Sequence, residues 1–180
     1  RYILFVLDGT LIDSKDGQIQ AVIYALNSIN INIRDMGELT KFIGPPLQES
    51  FYKYYGLSEN EINVCINKYR EYILDKGYKQ VKVYKGIRNL LKILKKCGRK
   101  VFIATSNPLI IAQKVLQEVN LIEYFDDIVG SNLDGTRISK SEIIQDVIKI
   151  NKLSLQETIM IGDRVHDVIG AKDNGIHSIF

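Results

Sequence analysis

Hydrophobic positions along this chain follow two rhythms. Short runs dominated by apolar residues, at 2–7, 101–104, 127–130 and 158–161, stop at polar or glycine residues, the pattern of strands covered on both faces. Between them apolar residues recur at helical spacing: Ile87, Leu90, Leu91 and Leu94; Ala112, Val115, Leu116 and Val119; Ile144, Val147 and Ile148. Strands alternating with helices of this length require right-handed crossovers and predict an α/β fold built on a parallel sheet.

One stretch keeps only the helical rhythm. Ile19, Val22, Ile23 and Leu26 form a stripe that ends at Asn27, Asn30 and Asn32. Pro45-Pro46 after Gly44 sets a surface turn, and Ser58 with Glu61 has capping-box spacing ahead of Ile62, Cys65, Ile66 and Tyr69. Residues 15–83 therefore read as a helical insert in a core made of 1–14 and 84–180, with a hinge near Tyr84-Lys85-Gly86. The chain ends inside a further predicted strand, at His177-Ser178-Ile179-Phe180, with no closing helix, which predicts more protein beyond it.

Composition narrows the function classes. At 180 residues, 46% hydrophobic and 25% charged, the chain has ordinary globular usage. Its apolar runs are too short to span a bilayer, and Asp8 and Asp13 break the first of them, so no secretory leader is predicted. A net charge of +3 is too small to argue for nucleic acid. Lys95, Lys96, Arg99 and Lys100 cluster, but at a helix end where cations complement the dipole. Cys65 and Cys97 lack metal-type spacing and read as reduced residues of a cytoplasmic protein. The cap tyrosines Tyr52, Tyr54, Tyr55 and Tyr69 read as packing residues.

Candidate chemistry gathers where strands end. Asp8 follows the first predicted strand, Thr105 the second and Asp163 the fourth, while Lys140 opens the helix containing Ile144. In open α/β sheets the carboxyl edge is the ligand-binding edge. Carboxylates, a hydroxyl and a lysine suit a magnesium-bound phosphate, because hard oxygens hold the metal and a cation offsets phosphoryl charge. Taken singly, each residue also has a plainer role. Asp8 and Thr105 could serve a turn, Lys140 a solvated helix start and Asp167 a helix dipole. His166 has no second histidine or cysteine placed to make a triad or zinc site.

Leu7-Asp8-Gly9-Thr10-Leu11, Ala104-Thr105-Ser106, Lys140 and Gly162-Asp163-Arg164-Val165-His166-Asp167 resemble, in order and spacing, the four signature motifs of haloacid dehalogenase superfamily phosphatases. The chain looks most similar to the branch containing phosphoglycolate phosphatase and related small-metabolite phosphatases and nucleotidases. Leu133-Asp134-Gly135-Thr136 repeats residues 7–10 without an apolar run before it, and reads as a turn.

The resemblance implies a Rossmann-like parallel sheet with helices on both faces, plus a helical cap inserted after the first motif that closes over the site at Gly44-Pro45-Pro46. It implies magnesium as cofactor and a small phosphorylated metabolite as partner: phosphoglycolate, a sugar phosphate or a nucleoside monophosphate. No nucleic acid and no membrane are implied, and the chain is expected as a monomer or weak homodimer. Asp8 would be the general acid and base and would offer its backbone carbonyl to the metal. Thr105 and the Ser106 amide would hold the phosphoryl group, Lys140 would neutralise its charge, and Asp163 with Asp167 would support magnesium.

One position departs from the family pattern. The nucleophilic aspartate belongs two residues before the acid and base, where this chain has Val6. Valine has no atom that attacks phosphorus or binds a metal. Two readings remain open: a phosphatase whose nucleophile position is substituted, and an inactive pseudophosphatase that binds a phosphorylated ligand without hydrolysing it. Dehalogenase chemistry would begin at the same missing carboxylate.

Overall fold

The computed structural model describes residues 1–33, 36–133 and 139–180, and the chain divides into two compact units. The first comprises Arg1–Asp13 and Lys82–Phe180, the second Ser14–Val81.

The first unit is a five-stranded sheet in the order β5-β4-β1-β6-β7. Its strands are β1 (Tyr2–Phe5), β4 (Lys100–Pro108), β5 (Asp127–Ser131), β6 (Thr158–Ile161) and β7 (His177–Ile179), all paired in parallel. The apolar rhythm explains the order. Leu4 pairs with Phe102 on one side and Met160 on the other, so the most apolar strand lies at the centre. Leu4, Val6, Phe102, Ala104, Val129 and Met160 share a buried cluster with Ile143, Ile144 and Val147 of α6 (Lys140–Ile150) and Ala171 of α7 (Val165–Asp173). Val101 and Ile103, turned to the other face by the two-residue period, are also fully buried, and α4 (Ile87–Lys96) and α5 (Leu109–Glu118) contact the same strand. The sheet is thus flanked by helices as the pattern predicts. Each large side chain buried this way contributes about 1.5–3 kcal/mol.

Two features of this unit go beyond the periodicity. β4 runs on past Ala104 to Pro108, with a shift of register against β5 between those residues. A small antiparallel ribbon also forms from β2 (Ile12–Asp13) and β3 (Lys82–Val83). Two residues per strand are too few to show a period.

In the second unit, α1 (Lys15–Asn27), α2 (Leu47–Tyr55) and α3 (Glu59–Asp75) are joined by a 3-10 turn at Met36–Phe42. Val22, Ala25, Leu26, Leu39, Phe51, Ile62 and Cys65 form its core. Ser58 and Glu61 make the expected capping box. α2 is not apparent from helical spacing, since Phe51 is its only fully buried large side chain. Tyr54 and Tyr55 pack on the Phe42 ring, whereas Tyr52 is 69% exposed and packs little. Among the described residues no helix is long and apolar enough to cross a membrane. The repeat Asp134-Gly135-Thr136 lies outside them.

Candidate active site

Beyond β1 the chain folds into a tight loop. The Leu11 and Ile12 amides donate to the Leu7 carbonyl at 3.0 and 3.2 Å, and the Gly9 amide donates to the Ile12 carbonyl at 2.9 Å. Gly9 adopts φ +82°, a conformation that disfavours side chains. It is required for space as well, because a Cβ there would lie 2.2 Å from Asp163 Oδ2.

The Asp163 carboxylate therefore rests against the backbone beside Asp8. The Thr10 hydroxyl donates to Asp163 Oδ1 at 3.0 Å, and Arg164 Nε lies 3.2 Å from Oδ2. Tyr84 is tied to the same loop by its amide, which donates to the Leu11 carbonyl at 3.1 Å. Burial, then the charges of Asp13, Asp163 and Asp8, push the Tyr84 phenol above its ordinary value. The three carboxylates act on one small region.

The register shift in β4 sits where the phosphate-binding residues are expected. Thr105 is buried and Ser106 exposed. The Asn107 amide donates to Thr105 Oγ1 at 3.2 Å, and the Asn107 side-chain amide donates a short hydrogen bond to Asp8 Oδ2. A bulge re-aims side chains at a strand end, and here it brings Asn107 to the carboxylate after the neighbouring strand.

Lys140 opens α6, and its ammonium reaches the end of β4. Nζ donates to the Ala104 carbonyl at 3.2 Å and lies 3.2 Å from Asp167 Oδ1. The pair is deeply buried, with side-chain exposures of 9% and 3%. Asp167 Oδ2 accepts from the Arg164 amide at 3.0 Å. Two glycines make room for this arrangement. A Cβ on Gly162 would come within 2.5 Å of Asp167 Oδ2, and one on Gly170 within 3.1 Å of Lys140 Cγ.

Val6 continues the ladder past β1, its amide donating to the Ile161 carbonyl at 3.0 Å. Its side chain is 7% exposed and belongs to the apolar cluster under α6 and α7.

The expected residues thus fall into two groups. Asp8 and Asp163 share the Gly9 loop, and Lys140 and Asp167 form a buried pair at the end of β4, beside Thr105. The sequence reading gives Asp167 direct or indirect support of magnesium; in the structure its two oxygens meet Lys140 and the Arg164 amide. Asn107 and Tyr84 lie outside the motifs, while Thr10 and Arg164, inside them, meet Asp163 in contacts the motifs do not assign. Asn107 lies two residues beyond Thr105 in β4, whereas Thr10 belongs to the tight loop after β1.

No group of three or more histidine, cysteine, aspartate or glutamate side chains is set to hold a metal among the described residues. The Asp163 carboxylate and the Asp8 backbone carbonyl still fit magnesium, which is commonly held by one or two carboxylates together with phosphate oxygens and water. The recess left by the missing Cβ of Gly9, filled by the Asp163 carboxylate, supplies such oxygens beside Asp8.

Comparison with known proteins identifies the family and the fold. A model of the haloacid dehalogenase-like hydrolases matches residues 3–180. A 5'-nucleotidase of Pseudomonas aeruginosa is 38% identical over 177 residues, 98% of this chain and 80% of the relative. The pyrophosphatase PpaX of Bacillus cereus is 31% identical over 175 residues, 96% of this chain and 79% of the relative. A crystal structure of a predicted phosphatase from Clostridium acetobutylicum superposes with a TM-score of 0.90 at 43% identity, covering 99% of this chain and 82% of that one.

Proposed function

Because this chain belongs to the haloacid dehalogenase-like hydrolases, we propose that its site is that of a magnesium-dependent phosphatase for small phosphorylated metabolites, with Val6 at the position of the nucleophile. The observation that carries this reading is the convergence of Asp8, Asp163, Thr105 and Lys140 at the carboxyl ends of three adjacent strands, β4, β1 and β6.

In this reading the Asp8 backbone carbonyl and the Asp163 carboxylate would hold magnesium, which draws charge from the phosphoryl oxygens when bound. Thr105 and the Ser106 amide orient the phosphoryl group. Lys140, fixed by Asp167 and the Ala104 carbonyl, faces the same group with its positive charge. Asp8 gives a proton to the departing oxygen and later takes one from water. Phosphoglycolate, sugar phosphates and nucleoside monophosphates are the substrate classes of this reading, the last of them supported by the name of the 5'-nucleotidase relative.

Val6 favours a second reading. A buried isopropyl group offers no electron pair to phosphorus, so the chain as it stands binds a phosphate ester without passing through a phosphorylated aspartate. Phosphate release with magnesium from a panel of these esters, by the native chain and by Val6→Asp, separates the readings. Release only after Val6→Asp supports a phosphatase site with a disabled nucleophile. Calorimetric binding to the native chain without release supports the pseudophosphatase. Silence of Val6→Asp toward every ester, with no binding by either protein, sinks both.

A further inference from the structure

Asn107 has no place in the motif set, yet its side chain makes a direct contact between β4 and the Asp8 carboxylate, across 99 residues of sequence. The backbone around it is constrained from several directions. Its amide donates to Thr105 Oγ1, and the register shift of β4 ends at the next residue, Pro108. Proline fixes φ there, and α5 starts at Leu109. From the neighbouring strand, Gly130 closes in: a Cβ on it would lie 2.6 Å from the Asn107 carbonyl and 2.9 Å from Leu109 Cα. Only a glycine in β5 lets the bulge sit this deep. An asparagine held by a bulge, a proline and a facing glycine presents its amide in one direction. That direction is toward Asp8.

We propose that Asn107 is a positioning residue for Asp8, holding one carboxylate oxygen so that the other is the one turned to the departing group. The inference rests on the reading of Asp8 as the proton carrier. An amide donor favours the more basic, carbonyl oxygen of a protonated carboxyl, so the acidic hydrogen is favoured on the oxygen that Asn107 does not engage. Asn107 thereby selects which oxygen delivers the proton and fixes the carboxyl rotamer.

The kinetic test uses the full chain carrying Val6→Asp, with and without Asn107→Ala, in magnesium. In the transfer step the introduced carboxylate bonds to phosphorus as the phosphorus–ester oxygen bond breaks. The Asp8 carboxyl proton passes to the departing oxygen, which leaves as an alcohol. An alkoxide needs that proton, whereas p-nitrophenolate leaves well without it. Asn107→Ala is therefore expected to lower kcat/KM for glycerol phosphate by about tenfold or more while leaving that for p-nitrophenyl phosphate within about twofold. A purely structural residue would lower both alike, and equal losses overturn the proposal.

A second measurement on the native chain is independent of turnover. In a proton–nitrogen correlation spectrum the Asn107 side-chain amide, assigned by its disappearance in Asn107→Ser, is expected to shift strongly on Asp8→Ala. An unmoved signal overturns the proposal even where Asn107→Ala fails to fold. If Val6→Asp hydrolyses neither ester the phosphatase reading fails, and the spectrum alone still decides the contact.

Discussion

Lys140 and Asp167 form a buried ion pair at 3.2 Å, anchoring the start of α6 to the first turn of α7 across the carboxyl end of β4. Charges this deep are tolerated when both partners are present and further hydrogen bonds serve the remaining atoms. The Ala104 carbonyl and the Arg164 amide supply those bonds. Asp167→Ala would leave an ammonium with a carbonyl and no counter-charge. It is expected to cost about 3–5 kcal/mol of unfolding free energy, measured by urea titration. Replacing both residues with apolar side chains of similar size should cost much less. Equal losses in the single and double variants would show that the pair does not act as a pair.

Gly9 couples a backbone conformation to a carboxylate. Gly9→Ala meets two penalties, φ +82° and a Cβ 2.2 Å from Asp163 Oδ2. The conformational part alone is worth about 1 kcal/mol, and the displaced carboxylate adds to it. The stabilisation of the fold by added magnesium, read as a shift in melting temperature, is expected to shrink in Gly9→Ala. An undiminished magnesium shift would place the cation away from this loop.

Asp126 gives a pH dependence outside the site. Burial raises its pKa, but hydrogen bonds from Lys100, the Val101 amide and Lys95 outweigh burial and hold it below the ordinary carboxylate value. A depressed carboxylate stabilises the fold above its unfolded pKa, about 4, and loses that stabilisation as pH falls through the lower folded value. Unfolding free energy should therefore fall more steeply below about pH 4 in the native chain than in Asp126→Asn. Parallel profiles would remove Asp126 from the acid sensitivity. The same contacts account for half of the lysine and arginine cluster seen in the sequence: Lys95 and Lys100 converge on this aspartate.

What the sequence made visible was local. The apolar run at 158–161 coincides with β6, and Ser58 with Glu61 caps α3 as its spacing requires. The parallel sheet and the shared edge that carries Asp8, Thr105 and Asp163 follow from apolar rhythm and crossover rules, whereas the strand order that makes their strands neighbours does not. α2 was hidden because it buries little apolar surface. Its signal is punctuation, Pro46 before the first turn and Gly56 at φ +63° after the last. The contacts that finish the site were hidden for another reason: Thr10 with Asp163 and Asn107 with Asp8 join residues 153 and 99 apart. No local period encodes such pairs. Asp167 shows the converse limit, since motif order places it near the site and only the fold shows that it faces Lys140.

Val6 is where stability and chemistry oppose each other. Its side chain is 7% exposed and packs with Leu4, Ala104 and Met160, so valine suits the apolar layer better than a carboxylate would. Val6→Asp is expected to cost about 1–3 kcal/mol without metal, because a desolvated carboxylate needs partners. Magnesium should return part of this loss, since a ligand that binds only the folded state contributes about 2.7 kcal/mol at a hundred times its dissociation constant. The native chain, one carboxylate poorer, should gain less from the same magnesium. The check is the unfolding free energy of both proteins across a magnesium titration. A larger magnesium gain in Val6→Asp, together with the appearance of phosphate release, would make position 6 the point at which this fold gives up turnover for packing; equal gains would separate position 6 from the cation.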